Sequence, residues 1–386
     1  MKPHVLTLPS WYPTEEDPLM GFFFKEQASW LVNAGCVCSV IYPEVRSLHL
    51  LTPTLALKNR FQITSKEEDN LWTIRSHGWN RFPKMEKMQM RSWVATAEKL
   101  FLRYCKERGK PDVLHVHSSL WAGVAASEIS SKYGIPYVIT EHHSSFLLNK
   151  TLGRPIEKCW STPYIQKSIQ NSAQFIAVGS RLRTALQNYT PKKMHVLPLP
   201  SDTHFFTPAA VPPKKDPYRL FCLAKLVPGK NIDLLLHAMA KLKNEPFLLE
   251  IGGYGVEEAK LKALAKNLNL DHTVQFLGRL DRAGAREAFR RAHCFVLPSD
   301  FETQGCVYVE AMSCGIPSIA TRCGGPEDTV TPETGLLIPV NDLEALTNAI
   351  LTIPSYNYDP QKIRARAEEF YSPESYTKRI LEILTL

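Results

Sequence analysis

Residues 299–317 read SDFETQGCVYVEAMSCGIP, and short apolar runs flank this stretch at residues 294–297 and 318–321. The order of apolar run, polar segment, helical pattern and apolar run predicts strand, loop, helix and strand, which is the crossover unit of a parallel sheet. Gly305 would allow a ligand to approach the backbone at the helix start, where the free N–H groups of the first turn suit a phosphate. The stretch therefore predicts an α/β fold with an anion site.

Two glutamates lie on either side of that helix start. Glu302 precedes the helix, with Thr303 as the expected N-cap, whereas Glu310 lies more than one turn inside it. We expect the two carboxylates to flank a bound anion and to accept hydrogen bonds from hydroxyl groups on either side, each worth about 1.5–3 kcal/mol. Either glutamate alone would more often be a solvated side chain, so the pair carries the interpretation.

Short apolar runs, each followed by a helical pattern, recur along the chain in two series. The first series comprises residues 4–8, 37–42, 113–117, 137–140 and 175–178, and the second comprises residues 220–224, 247–252, 274–278, 294–297 and 318–321. This alternation predicts parallel strands with crossover helices, and hence an α/β protein. Because the pattern is doubled within 386 residues, we expect two domains.

A proline-rich passage separates the two series, with Leu-Pro-Leu-Pro at residues 197–200 followed by the segment 208–217. Because X-Pro pairs favour extended backbone, we place the domain boundary there, with domains at 1–199 and 200–370. Two amphipathic helices are predicted at 363–370 and 376–386. We expect residues 371–386 to pack back on the first domain.

The 299–317 stretch resembles the E-x7-E signature of the family 4 retaining glycosyltransferases (glycosyl transferases group 1). Members of that family have the GT-B fold, in which two Rossmann-like parallel-sheet domains face a central cleft and a C-terminal helix bridges back. The resemblance implies that Glu302 is catalytic and contacts the donor sugar, and that Glu310 holds the nucleotide ribose. It also implies donor contacts around the helix start, at Gln304, Gly305, Cys306 and Val307, with Gln304 standing where many members have Phe.

Lys225 and Lys230 form a second signal, in the segment LAKLVPGKN at residues 223–231. Two cations between a predicted strand and a helix could neutralise the charge on a departing diphosphate. The chain has no D-x-D motif, so the carboxylate pair that holds a divalent ion in the other major glycosyltransferase fold is missing, and no metal ion is expected. The segment is similar to the family's G-R-L-x-x-x-K-G stretch, which implies that both lysines bind the donor pyrophosphate.

Two further turns after predicted strands resemble the family's donor site. The first reads IGGYG at residues 251–255, which is too short for a dinucleotide fingerprint, and the resemblance implies that Gly253 lies below the donor. The second reads GRL at residues 278–280 and is similar to the place where members receive the nucleobase, which implies Arg279 and Leu280.

Histidines end two predicted strands of the first series, in DVLHVH at residues 112–117 and TEHHS at residues 140–144. An H-x-H at a strand end also opens many zinc hydrolases, but no matching later ligands are evident. The Thr-x-His pattern instead resembles a family motif beside the donor sugar, which implies that His142 is catalytic. Residues 11–27 resemble the family's first loop, which implies that Gly21 leaves room for the donor and acceptor.

The formal net charge is +8, and residues 75–110 hold ten Lys/Arg against three Glu. Apolar residues at helical spacing in this region favour a core-facing helix, with a membrane-surface helix as the alternative. A peripheral contact of residues 75–110 with an anionic membrane therefore stays open as a partner hypothesis, and no nucleic-acid partner is expected.

Prolines interrupt any signal-like run at the N-terminus, and no apolar run approaches the length of a membrane span, so we expect a cytoplasmic protein, with the inner face of the membrane as one location. The resemblance implies a retaining glycosyltransferase of class EC 2.4 that moves a sugar from a UDP- or GDP-sugar to a glycan or lipid-linked acceptor, in surface polysaccharide or glycolipid biosynthesis. The nucleotide sugar is a substrate and no cofactor is expected. Alternatives are a non-hydrolysing nucleotide-sugar epimerase, a sugar phosphorylase and a catalytically silent sugar-nucleotide-binding protein.

Overall fold

The computed structural model describes residues 2–148, 150–151, 154–155, 158–214 and 216–386. The chain divides into two compact units. The first consists of Met1–Val178, Leu182–Leu197 and Thr377–Leu386, and the second consists of Gly179–Arg181 and Pro198–Tyr376. Each unit contains one large sheet built mainly of parallel strands, so the predicted α/β class with two parallel-sheet domains is confirmed.

The first unit is built on an eight-stranded sheet in the order β10-β9-β6-β5-β1-β2-β4-β3. The strands of this half are β1 (Val5–Pro9), β2 (Cys38–Arg46), β3 (Ile63–Glu68), β4 (Leu71–Trp79), β5 (Val113–His117), β6 (Tyr137–Glu141), β7 (Lys150–Thr151), β8 (Arg154–Pro155), β9 (Gln174–Ala177) and β10 (His195–Val196). In that sheet β3 runs antiparallel to β4, whereas the other neighbouring strands are parallel; β7 and β8 form a separate antiparallel pair. The order reverses at β1, which lies between β2 and β5.

Helices connect these strands. They are α1 (Phe22–Asn33), α2 (Pro53–Lys58), α3 (Glu86–Arg108), α4 (Ala122–Tyr133), α5 (Ser145–Leu148), α6 (Thr162–Asn171) and α7 (Ser180–Leu186). The long helix α3 buries Met90, Trp93, Val94, Ala97, Leu100, Phe101 and Tyr104. The prediction of a core-facing helix in this region is therefore confirmed.

The hypothesis that residues 75–110 contact an anionic membrane does not hold for Arg75, the first residue of that range. Arg75 lies on β4 and is only 7% exposed. Its guanidinium donates to Glu44 and to Glu68, at 3.1 Å in each case. Because a buried guanidinium needs paired carboxylates, the cation is used inside the sheet and is not available to a membrane.

The second unit is built on a six-stranded sheet. Its strands are β11 (Tyr218–Leu223), β12 (Phe247–Gly252), β13 (Val274–Gly278), β14 (Cys294–Leu297), β15 (Ser318–Thr321) and β16 (Gly335–Ile338), in the order β13-β12-β11-β14-β15-β16 with all neighbours parallel. The order reverses between β11 and β14. In open α/β sheets, ligands bind outside the carboxyl ends of the strands at such a reversal.

The helices of the second half pack around this sheet. They are α8 (Ile232–Lys241), α9 (Glu258–Asn267), α10 (Arg282–Arg291), α11 (Cys306–Ser313), α12 (Pro326–Thr329), α13 (Leu343–Thr352), α14 (Pro360–Tyr371) and α15 (Pro373–Leu384). The two predicted C-terminal helices are confirmed, and each begins earlier than expected, with Pro at its first position. Asp359 caps α14 by accepting from the N–H groups of Gln361 and Lys362. Residues from Thr377 onward belong to the first unit, where Arg379 donates to the carbonyl of Val196 at 3.1 Å.

Apolar residues from both faces of the second sheet form a single large core, which includes Phe221, Phe289, Phe295 and Tyr308. The cysteines are free and mostly buried. No helix among the described residues is long and apolar enough to cross a membrane.

Candidate functional site

The carboxyl ends of β11 and β14 bring two of the predicted site residues together. Lys230 follows β11, and Glu302 follows β14. Lys230 Nζ donates to Glu302 Oε1 at 2.6 Å, and the Lys and Glu side chains are 21% and 12% exposed. Ser299 Oγ donates to the same carboxylate oxygen at 2.9 Å. The reversal of strand order thus holds an ammonium, a carboxylate and a hydroxyl within one hydrogen-bonded group.

The sequence pattern did not identify Ser299 as a site residue. It is fully buried and comes two residues after the end of β14. A small polar residue directly after a strand next to the reversal was the available signal, because side chains at that edge meet the ligand position.

Backbone and side-chain hydrogen bonds hold the two loops together. Asp300 N–H donates to the carbonyl of Gly229 at 2.8 Å. Asn231, at the start of α8, donates its side-chain amide to Asp300 at 2.6 Å and to Asn341 at 2.9 Å. Gly229 has φ +85°, and a Cβ there would lie 3.0 Å from the ring of Phe301. Because these contacts fix both loops, Lys230 and Glu302 are oriented before any ligand arrives.

The helix α11 starts at a glycine. Gly305 is the N-cap residue with φ +80° and provides no side-chain cap, so the expectation that Thr303 caps this helix is wrong. A Cβ on Gly305 would lie 2.6 Å from the Tyr308 ring, and the Tyr308 hydroxyl donates to Leu297 O at 2.8 Å. The helix is therefore pinned to the end of β14, and its N-cap residue has no side chain that would compete with an anion for the backbone N–H groups of the first turn.

Gln304 is placed differently from the expected donor contact. Its side chain is 1% exposed, its Nε2 donates to Leu199 O at 2.8 Å, and its Oε1 accepts from Leu199 N–H. Both ends of the amide are therefore used by one backbone residue. Only the backbone of Gln304 lies beside the α11 start, and the side chain holds residue 199 in place.

The remaining predicted donor residues surround this group at the ends of the strands. Glu310, Cys306 and Val307 are half-buried on α11, whereas Lys225 is exposed in the loop after β11. Gly253 has φ +139°, and a Cβ there would lie 1.9 Å from the carbonyl of Ala224. Gly253 therefore permits the close approach of two loops.

The predicted nucleobase residues follow β13. Arg279 is exposed, with its guanidinium 4.7 Å from the centroid of the Tyr254 ring. Leu280 packs against Gly252, where a Cβ would lie 2.7 Å from Leu280 Cδ1. These two side chains lie at the carboxyl ends of the strands, on the side of the sheet where β13 forms the edge.

In the first unit, Gly21 and His142 lie near the reversal of strand order at β1. Gly21 is the N-cap of α1 with φ +68°, and a Cβ there would lie 2.9 Å from Trp11 Cδ1 and from Trp11 O. His142 directly follows β6 and is 8% exposed, with its ring 5.0 Å from that of Phe24 on α1.

His142 belongs to a buried chain of histidines. His142 Nε2 lies 3.1 Å from His117 Nδ1, and the His117 ring stacks on Phe24 at 4.3 Å. His115 Nε2 lies 2.9 Å from Thr140 Oγ1. Burial lowers the pKa of His142 to about 3 and that of His115 to about 4, and it lowers the pKa of His117 well below its ordinary value. All three rings are therefore neutral at neutral pH.

Glu141 fixes the backbone that carries His142. It is fully buried, and its Oε1 accepts from the N–H groups of His142 and His143, each at 2.9 Å. Its Oε2 accepts from Ser119 N–H at 2.8 Å and from the Ser119 hydroxyl. Among the described residues, no group of three or more His, Cys, Asp or Glu could hold a metal ion, and the H-x-H histidines contact Thr140 and His142 instead.

Family models match both halves of the chain. The model described as Glycosyltransferase Family 4 matches residues 21–205, and the model described as Glycosyl transferases group 1 matches residues 205–370. The two matches meet at residue 205 and together span most of the chain.

Curated relatives match over part of their length. A phosphatidylinositol N-acetylglucosaminyltransferase subunit of Arabidopsis thaliana is 28% identical over 225 residues, which cover 56% of this chain and 49% of the relative. GDP-mannose-dependent monoacylated alpha-(1-6)-phosphatidylinositol monomannoside mannosyltransferase of Corynebacterium glutamicum is 32% identical over 216 residues, which cover 49% of this chain and 55% of the relative. The matched region thus spans about half the length of these two relatives.

Solved structures match over nearly the whole chain. Sucrose-phosphate synthase from Thermosynechococcus elongatus superimposes with a TM-score of 0.77 at 19% identity, covering 98% of both chains. Anabaena HepE in complex with UDP-glucose superimposes with a TM-score of 0.69 at 15% identity, covering 99% of both. These likenesses establish the GT-B fold, and with adjoining matches to both family models the chain belongs to the family 4 glycosyltransferases.

Proposed function

We propose that this protein transfers a sugar, with retention of anomeric configuration, from a nucleotide-diphosphate sugar to a glycan or lipid-linked acceptor. The contact between Lys230 and Glu302 at the strand-order reversal, beside the glycine N-cap of α11, carries the proposal. An ammonium, a carboxylate and helix N–H groups at this position suit a diphosphate with an attached sugar. Membership of family 4 supports the same assignment.

In this proposal the second unit binds the donor. The charge of the diphosphate is neutralised by Lys225, Lys230 and the first-turn N–H groups after Gly305. These groups take the role that a divalent ion has in other transferases. An ammonium has three donors, so Lys230 can keep its bond to Glu302 while it contacts a phosphate oxygen. Glu302 then accepts from sugar hydroxyls. Glu310 contacts the ribose, and Arg279 and Leu280 contact the base. The residues around the diphosphate are Gly253, Cys306, Val307 and the backbone of Gln304.

The proposed chemical step uses these groups. The bond between the anomeric carbon and the diphosphate oxygen breaks, and the acceptor oxygen bonds to the same face of that carbon. The acceptor proton passes to the departing phosphate oxygen. His142 is a poor proton acceptor at neutral pH because burial lowers its pKa to about 3, so we assign it a hydrogen bond to the donor sugar. Gly21 leaves room for the substrates beside α1.

The comparisons support a UDP- or GDP-sugar as donor. The HepE structure contains UDP-glucose, and the Corynebacterium glutamicum relative is named for its dependence on GDP-mannose. Both curated relatives carry phosphatidylinositol in their names, which supports a lipid-linked acceptor here.

The test measures nucleotide release in Lys230→Met and Glu302→Gln variants, which keep side-chain size but remove the charge. We expect rates to fall by at least about a hundredfold, because each group stabilises charge that develops in the transition state. Lys266→Met and Glu333→Gln, at exposed positions elsewhere in the second unit, serve as matched controls and should retain activity.

Release within a few-fold of the parent in the two site variants would reject these roles. Donor conversion without any acceptor would favour the epimerase, and donor-induced stabilisation without turnover would favour the silent binding protein. Turnover that is lost on chelation and restored by Mg²⁺ or Mn²⁺ would reject charge neutralisation by the lysines and helix alone.

A further inference from the structure

Residues 48–61, named the leucine segment, present large apolar side chains to solvent. The segment connects β2 to β3 through a short 3-10 turn and α2. Leu48, Leu50, Leu51, Leu57 and Phe61 are 44%, 47%, 52%, 67% and 46% exposed. Apolar side chains grouped on one surface mark an interaction site more often than single exposed residues do.

The backbone of the leucine segment is nevertheless firmly held. The Thr52 side chain caps α2 by accepting from Leu55 N–H at 3.2 Å. Asn59 is buried, its side chain donates to Leu55 O at 2.8 Å, and its carbonyl accepts from Trp79 Nε1 at 2.8 Å. The leucines therefore face outward because the fold directs them there.

Cations border this apolar surface. Leu48, Leu51 and Phe61 line a shallow hollow together with Arg60 and Arg81. The Arg81 guanidinium lies 4.0 Å from the centroid of the Phe61 ring. Lys58 follows the most exposed leucine and is itself exposed.

Acidic residues are scarce around these cations. Residues 45–62 contain no Asp or Glu. Of their three Lys or Arg, Arg46 is buried and paired with Glu16 and Glu44, which leaves Lys58 and Arg60 exposed. Glu15 reaches Lys58 at 3.6 Å, but both side chains are largely exposed, so the pair is weak and readily exchanged. The surface is thus apolar at its centre and positive at its border.

We propose that the leucine segment docks this protein on an anionic lipid bilayer. The leucines enter the boundary between headgroups and acyl chains, and Lys58, Arg60 and Arg81 pair with lipid phosphates. Charge complementarity selects this occupant, because an apolar centre with a cationic border matches the order of layers at an anionic bilayer surface. The docking deepens the proposed lipid-linked acceptor but stands on its own geometry.

This placement differs from the membrane contact suggested for residues 75–110. The apolar face of α3 packs in the core, and Arg75 donates hydrogen bonds to two glutamates. Of the cations in that stretch, Arg81 lines the hollow of the leucine segment, beside Trp79 and Asn80.

Sedimentation with vesicles tests the proposal. We expect the parent to bind phosphatidylcholine vesicles that contain phosphatidylglycerol at least about tenfold more tightly than pure phosphatidylcholine vesicles, with weaker binding at high salt. Leu50→Ser/Leu51→Ser and Lys58→Gln/Arg60→Gln should each weaken that binding by at least about tenfold.

Two matched variants control for hydrophobicity and charge. Leu102→Ser/Leu351→Ser alters two exposed leucines elsewhere, and Arg91→Gln/Lys99→Gln removes two exposed cations from α3; both should bind as the parent does. Equal binding of the parent to both vesicle types, or equal losses in the test and control variants, would overturn the proposal. Donor-induced stabilisation, measured in the same variants, reports separately on the proposed function, so either proposal can fail alone.

Discussion

At the scale of a single residue, the proton between His117 and His142 determines what His142 offers a ligand. The other nitrogen of each ring, His117 Nε2 and His142 Nδ1, is buried without a hydrogen-bond partner in the part of the chain that the structure describes. If His117 donates, the unpartnered N–H belongs to His142; if His142 donates, it belongs to His117. A buried N–H without a partner is more costly than a bare acceptor, and His142 is 8% exposed whereas His117 is fully buried. We therefore expect His142 to present Nδ1–H to a substrate oxygen.

Substitution of His117 tests this arrangement. His117→Asn keeps an amide donor near the position of Nδ1, whereas His117→Gln moves it toward Nε2. We expect His117→Asn to retain most of kcat/KM and His117→Gln to lose about tenfold, which corresponds to one hydrogen bond of about 1.4 kcal/mol. Nitrogen-15 NMR should show His142 protonated at Nδ1 in the parent. Protonation of His142 at Nε2, or equal losses in both variants, would contradict the assignment.

At the scale of an element, α11 depends on a glycine at its start. Gly305 combines a left-handed φ of +80° with close approach to the Tyr308 ring. Gly134, after α4, has φ +68°, but a Cβ there would have no atom of the other described residues within 4 Å. Both positions are strained for other residues, but only at Gly305, of these two, would the added methyl group push against a buried ring. The start of α11 can therefore keep its place only if residue 305 lacks a side chain.

Substitution of these two glycines by alanine separates the cost of the left-handed backbone from the cost of moving the Tyr308 ring. We expect Gly134→Ala to lower the free energy of unfolding by about 1–2 kcal/mol, the cost of the left-handed backbone alone. Gly305→Ala should lower it further and weaken nucleotide binding, because Tyr308 must move. Urea denaturation and isothermal titration with UDP and GDP measure the two effects. Equal stability losses with unchanged nucleotide binding would show that the helix start does not depend on this contact.

The strands show which elements the sequence pattern predicts and which it misses. The runs at 113–117, 247–252, 274–278, 294–297 and 318–321 match β5, β12, β13, β14 and β15 residue for residue. These strands are short and, for the most part, apolar, because helices cover both sides of a parallel sheet. The pattern missed β4, since its Arg75 and His77 interrupt the apolar run and are accommodated by Glu44 and Thr64. It also missed β3, an edge strand with few buried residues.

At the scale of the whole molecule, the buried histidines make stability sensitive to acid. Their pKa values are lowered in the folded chain, to about 4 for His115 and about 3 for His142, so the unfolded chain binds protons first. Their contribution is complete above pH 6.5 and is lost as pH falls toward the folded pKa values. Each of these two histidines should lower the free energy of unfolding by about 2 kcal/mol as the pH falls from 6.5 to 5.

Urea denaturation at pH 7 and pH 5 measures this loss. A His49→Gln variant, changed at an exposed histidine, should show the same pH dependence as the parent. Equal free energies of unfolding at the two pH values would show that the histidines are not buried and neutral.

The candidate site was predictable in part. Lys230 and Glu302 lie in loops after strands, and the reversal of strand order explains why loops 72 residues apart in sequence meet. The role of Gln304 was not predictable, because its partner is the backbone of Leu199, which carries no side-chain pattern. The contact of His117 with His142 and the exposure of the leucine segment were not predicted for the same reason, because pairing and exposure depend on tertiary contacts.

The burial of His142 has a consequence for reagents that acylate imidazole. Diethyl pyrocarbonate needs an accessible, unprotonated ring, and the adjacent His143 is exposed, with its Nδ1 near the Ser145 hydroxyl. The reagent should therefore label His143 well before His142. Loss of activity on such labelling would report a bulky adduct on His143, and the His142 ring, to which we assign a contact with the donor sugar, would remain unlabelled.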